Sequence, residues 1–178
     1  MKSMGIFCGS SAGFEGAYVP AAEALGTLVA ERGLTVIYGG ASIGLMGCVA
    51  DAALRAGGQV IGVIPHSLQI SEIMHHDLTD LEIVDTMFQR KERMIELADA
   101  FISLPGGIGT LDELFEVWAL RALQVHEKPV GLLNLDGYFD PLLEFIDRMV
   151  THGFLRTAWR RLLHVAPTSE VLLRKMGL

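Results

Sequence analysis

Two cysteines, Cys8 and Cys48, are all that the 178 residues contain. They sit in apolar settings without paired spacing, so a disulfide framework is excluded and the chain reads as a reduced, cytoplasmic protein. Basic residues are also scarce: 14 Lys and Arg stand against 21 Asp and Glu, for a formal charge of −7. A nucleic-acid backbone asks for a basic face, so no DNA or RNA partner is expected. No apolar stretch long enough to span a bilayer is free of a charge or a glycine turn. Met1-Lys2-Ser3-Met4-Gly5-Ile6-Phe7 passes into a strand pattern too quickly for a signal peptide. There is no Gly-Lys-Ser/Thr, and no G-x-G-x-x-G with an acid about 20 positions on, so a P-loop NTPase or an ordinary NAD enzyme is disfavoured. The six histidines form no ligand set. His75 and His76 are adjacent and diverge on most backbones, while His66, His126, His152 and His164 are scattered, and no metal is expected.

What the chain has in surplus is apolar surface. Half of it is hydrophobic (51%), which in a chain without a membrane span implies burial between subunits, so a homo-oligomer is expected. Short apolar runs alternate with helical patterns throughout. The strands predicted are Met4–Cys8, Leu34–Tyr38, Gln59–Val63, Leu81–Val84, Ala100–Leu104 and Pro129–Leu133. The helices lie near Ala17–Arg32, Gly44–Ala56, Thr86–Ala98, Thr110–Gln124, Pro141–Thr151 and Ser169–Met176. Strands apolar on both faces and separated by helices imply an α/β fold: one Rossmann-like domain over residues 1–178, a parallel sheet with helices on both faces. Ligands of such sheets bind beyond the carboxyl ends of the strands.

Three glycine-rich loops fall at those ends: Gly9–Gly13, Gly39–Gly47 and Pro105–Thr110. Any one alone reads as a tight βα turn. Three on one edge point to a site. The third is the most informative, running Pro105-Gly106-Gly107-Ile108-Gly109-Thr110-Leu111-Asp112-Glu113 between an apolar strand and a helix. Glycines at that junction leave the backbone bare where a helix presents unpaired N–H groups and the positive end of its dipole, which makes an anion site, most naturally for a phosphate. Glu113 follows one turn into the helix, about 4.5 Å along the axis from Thr110. Thr110-x-x-Glu113 has a second reading as a capping box, with the glutamate folded back on the helix start, and Asp112 reads as first-turn dipole complementation.

Arg90 shares a helix face with Met87 and Met94, so it points along the apolar side and needs an anionic partner. That partner is either a bound ligand or an internal acid such as Asp99 or Asp112. Lys91 lies among Met87, Met94 and Ile95 and also looks inward, whereas Arg93 lines up with Gln89 and Glu96 toward solvent. Glu72 reaches the site or stays a surface acid. Apolar residues near the pocket, Met46, Met87 and Trp118, either line it or belong to the core.

The Pro105–Glu113 motif, paired with the upstream Arg90-Lys91, resembles the signature of the LOG family, PGGxGTxxE with an upstream Met-x-x-Arg-Lys. The likeness extends to Phe7-Cys8-Gly9-Ser10-Ser11, Tyr38-Gly39-Gly40, Gly44-Leu45-Met46-Gly47 and Lys128-Pro129-Val130-Gly131-Leu132-Leu133, nearly the whole chain. Members are cytokinin riboside 5′-monophosphate phosphoribohydrolases, many under the older label "possible lysine decarboxylase". The resemblance implies cleavage of the N-glycosidic bond of a nucleoside 5′-monophosphate to free base and ribose 5-phosphate, without a cofactor, in a homodimer. It implies Arg90 and Glu113 as the catalytic pair. Gly9, Ser10, Gly44, Glu72, Met87, Arg90, Lys91, Gly106, Gly107, Gly109, Thr110 and Glu113 would hold the substrate. A module that binds or senses the nucleotide without turnover is the alternative, and it would need the glycine loop but not the Arg90–Glu113 pair. Two positions depart from many members: Phe88 stands where they have histidine, and Ala41 lies at or beside a third glycine of the second loop. Both bear on base recognition. A lysine decarboxylase would need a Schiff-base lysine for pyridoxal phosphate, and no lysine here has a setting that suits one.

Overall fold

The computed structural model describes residues 1–68 and 74–178. Among the described residues seven strands form one sheet: β1 (Ser3–Phe7), β2 (Thr35–Tyr38), β3 (Val60–Pro65), β4 (Asp80–Val84), β5 (Phe101–Ser103), β6 (Val130–Leu133) and β7 (Leu163–Ala166). Their order is β4-β3-β2-β1-β5-β6-β7, and every neighbouring pair is parallel. The helices are α1 (Tyr18–Glu31), α2 (Gly44–Arg55), α3 (Met87–Leu97), α4 (Ile108–Ala122), α5 (Asp140–Thr151), α6 (Thr157–Arg160) and α7 (Ser169–Lys175).

The sheet separates two cores because successive side chains of a strand point to opposite faces. Met4, Ile6 and Cys8 of the first strand and its end join Leu25, Val29, Val49 and Leu173 on the face covered by α1, α2 and α7. Phe7 and Ile37 instead join Met94, Phe101, Leu114 and Trp118 on the face covered by α3, α4 and α5. Phe7 and Phe101 stack there with ring centroids 5.7 Å apart. Trimming a side chain as deeply buried as Phe101 would cost about 3–5 kcal/mol.

All six expected strands are present. The seventh, β7, was not expected: its four residues include His164, and its extended form comes from pairing along β6 from Leu163 to Ala166. α4 also starts two residues before the expected Thr110, and that difference bears on the site.

Candidate active site

β1 and β5 are adjacent, but the chain leaves them toward opposite edges of the sheet, to β2 and to β6. The loops after them therefore diverge and open a crevice at the topological switch point. The loops are tied across it: Gly9 N–H donates to Pro105 O at 3.1 Å and Leu45 N–H to Gly9 O at 3.0 Å. Gly44 has φ +59°, and a Cβ there would overlap the backbone of Ser10. At Gly106 a Cβ would overlap the Thr110 hydroxyl and come within 2.8 Å of Gly9 N. The Tyr138 hydroxyl donates to Gly106 O at 2.8 Å. These two glycines therefore act as joints of the cradle.

The N-cap of α4 is Gly107, with extended backbone and no side-chain cap. The first intrahelical bond runs from Leu111 N–H to Gly107 O, so the N–H groups of Gly107, Ile108, Gly109 and Thr110 have no acceptor inside the helix. The Thr110–Glu113 capping box does not form, because both residues already lie within α4. Asp112 likewise sits beyond the first turn and pairs with Lys91. A capping box does form one helix earlier: Thr86 Oγ1 accepts from Gln89 N–H at 3.1 Å, and Gln89 Oε1 accepts from Thr86 N–H at 3.3 Å. It anchors the start of α3, the helix that carries Arg90 and Lys91.

Among the described residues the crevice holds a cavity of about 410 Å³. Gly107–Thr110 line it, and there the free N–H groups and the helix dipole favour an anion. Its apolar side chains are those of Ile43, Met46, Ile64, Leu68, Met87 and Ile108, and Cys8, Gly9, Ser10, Gly39 and Ala41 contribute from the first two loops. Arg90, Lys91, Asp112 and Glu113 complete the lining.

Arg90 is 8% exposed. Its Nε donates to Val63 O at 3.1 Å, Nη1 lies 3.8 Å from Met87 Sδ, and Nη2 lies 3.8 Å from Glu113 Oε1. The anionic partner is thus Glu113 rather than Asp99 or Asp112. Asp99 accepts from the backbone N–H groups of Lys2 and Ser3 at the start of β1. The Glu113 side chain is 12% exposed. Burial, opposed by Arg90 and aided by Asp112, lifts its carboxyl to about 7. At neutral pH it is poised between its acid and base forms. Cys8 cannot compete as nucleophile, because burial, the Glu113 charge and Cys48 push its thiol pKa up and keep it protonated.

Lys91 turns inward as expected, but its ammonium is already engaged, 3.0 Å from Asp112 Oδ2 and 3.0 Å from Glu116 Oε2. Burial alone would lower its pKa, yet the hydrogen bonds to Asp112 and Glu116 outweigh it and leave it raised. Phe88 is exposed (79%) on the same helix, its ring 5.8 Å from Lys91 Nζ. Arg93 pairs with Glu82 and Glu96 on the outside.

Of the residues singled out in the sequence, the cavity gathers Gly9, Ser10, Met87, Arg90, Lys91, Gly107, Gly109, Thr110 and Glu113. Gly44 and Gly106 lie behind it as joints. Glu72 lies outside the described residues. Trp118 belongs to the core, its Nε1 donating to Trp159 O. Gly39 lies in the second of the three glycine loops, whereas Ile64 and Leu68 stand in none of the motifs. The only signal for Ile64 was its place at the carboxyl end of a strand.

A family model described as possible lysine decarboxylase matches residues 46–176. The probable cytokinin riboside 5′-monophosphate phosphoribohydrolase LOGL5 of Oryza sativa subsp. japonica is 48% identical over 171 residues, 96% of this chain and 70% of that protein. The cytokinin riboside 5′-monophosphate phosphoribohydrolase LOG1 of Arabidopsis thaliana is 46% identical over 175 residues, 98% of this chain and 82% of that protein. Among solved structures, the molybdenum cofactor carrier protein of Chlamydomonas reinhardtii superposes with a TM-score of 0.73 at 24% identity, covering 99% of each chain. The molybdenum cofactor binding protein of Rippkaea orientalis gives 0.74 at 20% identity, over 99% of this chain and 96% of that one. At such identities the structural likeness speaks to the fold alone.

Proposed function

This chain belongs to the LOG family, and from that premise we propose how its cavity hydrolyses the N-glycosidic bond of N6-modified adenosine 5′-monophosphates to free base and ribose 5-phosphate. The observation that carries the proposal is the buried Arg90–Glu113 pair one turn inside a helix whose free N–H groups face the same cavity. A protein that only senses a nucleotide has use for the glycine loop. It has none for a carboxyl held near 7 by burial, which costs stability.

The 5′-phosphate sits at the N–H groups of Gly107–Thr110, and this remote grip positions the sugar against Glu113. Cleavage passes through an oxocarbenium-like state at the anomeric carbon, whose positive charge the ionised Glu113 stabilises. The same carboxylate orients the attacking water and accepts its proton. The bonding electrons leave with the base, which takes up one proton, so a nucleotide and one water give base and ribose 5-phosphate. Arg90 holds Glu113 toward its ionised form, since an opposite charge lowers a carboxyl pKa. Ile43, Met46, Ile64, Leu68 and Met87 face the base and suit an apolar N6 substituent. Lys91 acts by bracing α3 against Asp112 and Glu116 of α4.

The decarboxylase label does not fit the lysines. A Schiff-base lysine needs a lowered pKa, whereas Lys91, the lysine in the cavity, is raised by its two acids. Burial does lower the pKa of Lys128, but its ammonium donates to Ile95 O and it does not line the cavity; Lys175 donates to Val165 O, and Lys2 lies at the start of β1.

We further propose a homodimer and a reducing, cytoplasmic setting. Exposed Phe88 and Ile108 (88%) near the cavity mouth and the two free thiols support these readings, and no helix among the described residues is long and apolar enough to cross a membrane. Sedimentation equilibrium tests the dimer. Chromatography of products after incubation with AMP, and separately with isopentenyladenosine 5′-monophosphate, tests the reaction. Free base and ribose 5-phosphate are expected from the wild type, faster from the prenylated substrate. Intact nucleotide in both mixtures would overturn the reading.

A further inference from the structure

Gly39, at the end of β2, has a φ outside the left-handed region, so no turn demands glycine there. What demands it is space. A Cβ built on Gly39 would overlap Arg90 Nη2 and lie 3.0 Å from Arg90 Cζ, with Met46 Sδ next at 3.3 Å. Nη2 is the nitrogen that faces Glu113. The rest of the guanidinium has little freedom, because Nε is bonded to Val63 O and Nη1 lies against Met87 Sδ. A single methyl at residue 39 would therefore move the nearer and stronger of the two cations, Arg90 and Lys91, that oppose the burial of Glu113, and it would do so without straining the backbone.

We propose that Gly39 is a positioning residue: its missing side chain is the slot in which the Arg90 guanidinium lies so that Nη2 faces Glu113. The assignment rests on the hydrolase reading for its effect on turnover, but its geometric content stands apart from it. Arg90 and Lys91 from α3, Asp112 and Glu116 from α4 and Cys8 at the end of β1 are the charged and titratable groups around Glu113. A Gly39→Ala chain keeps all of them and displaces one.

The test compares wild type, Gly39→Ala, Arg90→Ala and the double variant. It reads kcat and KM with AMP, the titration midpoint of the Glu113 carboxyl by ¹³C NMR, and the melting temperature. Gly39→Ala is expected to lower kcat roughly 10- to 100-fold, as for an ångström-scale misplacement of a catalytic group, with KM changed far less. The Glu113 midpoint moves above the wild-type value. In the Arg90→Ala background, adding Gly39→Ala changes neither quantity. Should Gly39→Ala lower the melting temperature, it is expected to lower it no further when added to Arg90→Ala, because the overlapping atoms are then gone. Should wild type turn over no nucleotide, the midpoint alone decides. Wild-type kcat and midpoint in Gly39→Ala, or a further loss of kcat, midpoint shift or drop in melting temperature when Gly39→Ala is added to Arg90→Ala, would each overturn the proposal.

Discussion

Arg90 Nη2 and Glu113 Oε1 are 3.8 Å apart in a nearly closed setting, near enough for strong attraction yet beyond hydrogen-bond reach. The gap leaves the carboxylate oxygen free to accept a hydrogen bond from a water or a substrate hydroxyl while it still feels the cation. Burial has the larger effect on Glu113, which is why its carboxyl stands near 7 despite the arginine.

Turnover is expected to depend on pH through this group. If the ionised carboxylate orients the water, kcat rises with pH and levels off above about 7. Initial rates with saturating AMP between pH 5 and 9 check this. A flat profile, or one that falls as pH rises through neutrality, contradicts an ionised Glu113.

Glu113→Gln is expected to lower kcat about 10²- to 10⁴-fold, the usual worth of a positioned acid–base group. It also changes the pH dependence of stability. Between the ordinary value of 4.5 and about 7 the native carboxyl holds a proton that the unfolded chain has lost. Wild-type stability therefore falls as pH rises through that window, by about 3 kcal/mol in the limit. Urea unfolding at pH 5 and pH 8 should show the wild type losing stability relative to Glu113→Gln. An equal difference at both pH values would refute the raised carboxyl.

Lys91→Met removes the brace between α3 and α4 and leaves Asp112 and Glu116 without their shared cation. Because the ammonium is already engaged by two carboxylates, the loss is expected mainly in kcat, with KM for AMP changed less than about threefold; a lost phosphate contact would instead weaken binding by a charge-assisted bond's 1.5–3 kcal/mol or so. Steady-state kinetics separates the two. A rise in KM at constant kcat would place the ammonium on the phosphate.

Thr86→Ala deletes the hydrogen bond that caps α3. A loss of about 1 kcal/mol in unfolding free energy is expected, measured by denaturant titration. Because α3 carries Arg90, kcat should fall along with it, and Thr86→Ser should recover both. A Thr86→Ala protein with wild-type stability would mean that the cap carries no load.

Much of this was legible in the amino acids because it rests on local rules. Six strands and their helices follow from apolar periodicity. The bare helix start with its unpaired N–H groups follows from glycines at a strand-to-helix junction, and the inward turn of Arg90 from its i−3 and i+4 methionines. β7 escaped notice because an edge strand of four residues with a histidine takes its form from its neighbour. The capping-box reading of Thr110 and Glu113 failed because α4 begins at Ile108, on a glycine N-cap with no side-chain signal. Trp118 and Met46 look alike by composition and spacing, yet one lies in the core and the other in the cavity.

By itself the sequence determined the class of fold, the family and the chemical types present, since these depend on residue identity and on contacts close along the chain. Only the tertiary structure decided that Arg90 faces Glu113 rather than Asp99 or Asp112, that two acids engage Lys91, and that Gly39 leaves the guanidinium its place. Those relations join residues 21–51 positions apart (Lys91–Asp112, Gly39–Arg90). Which of several acids meets a buried cation is set by strand order and helix packing, because charges attract without regard to sequence and burial alone selects the pair.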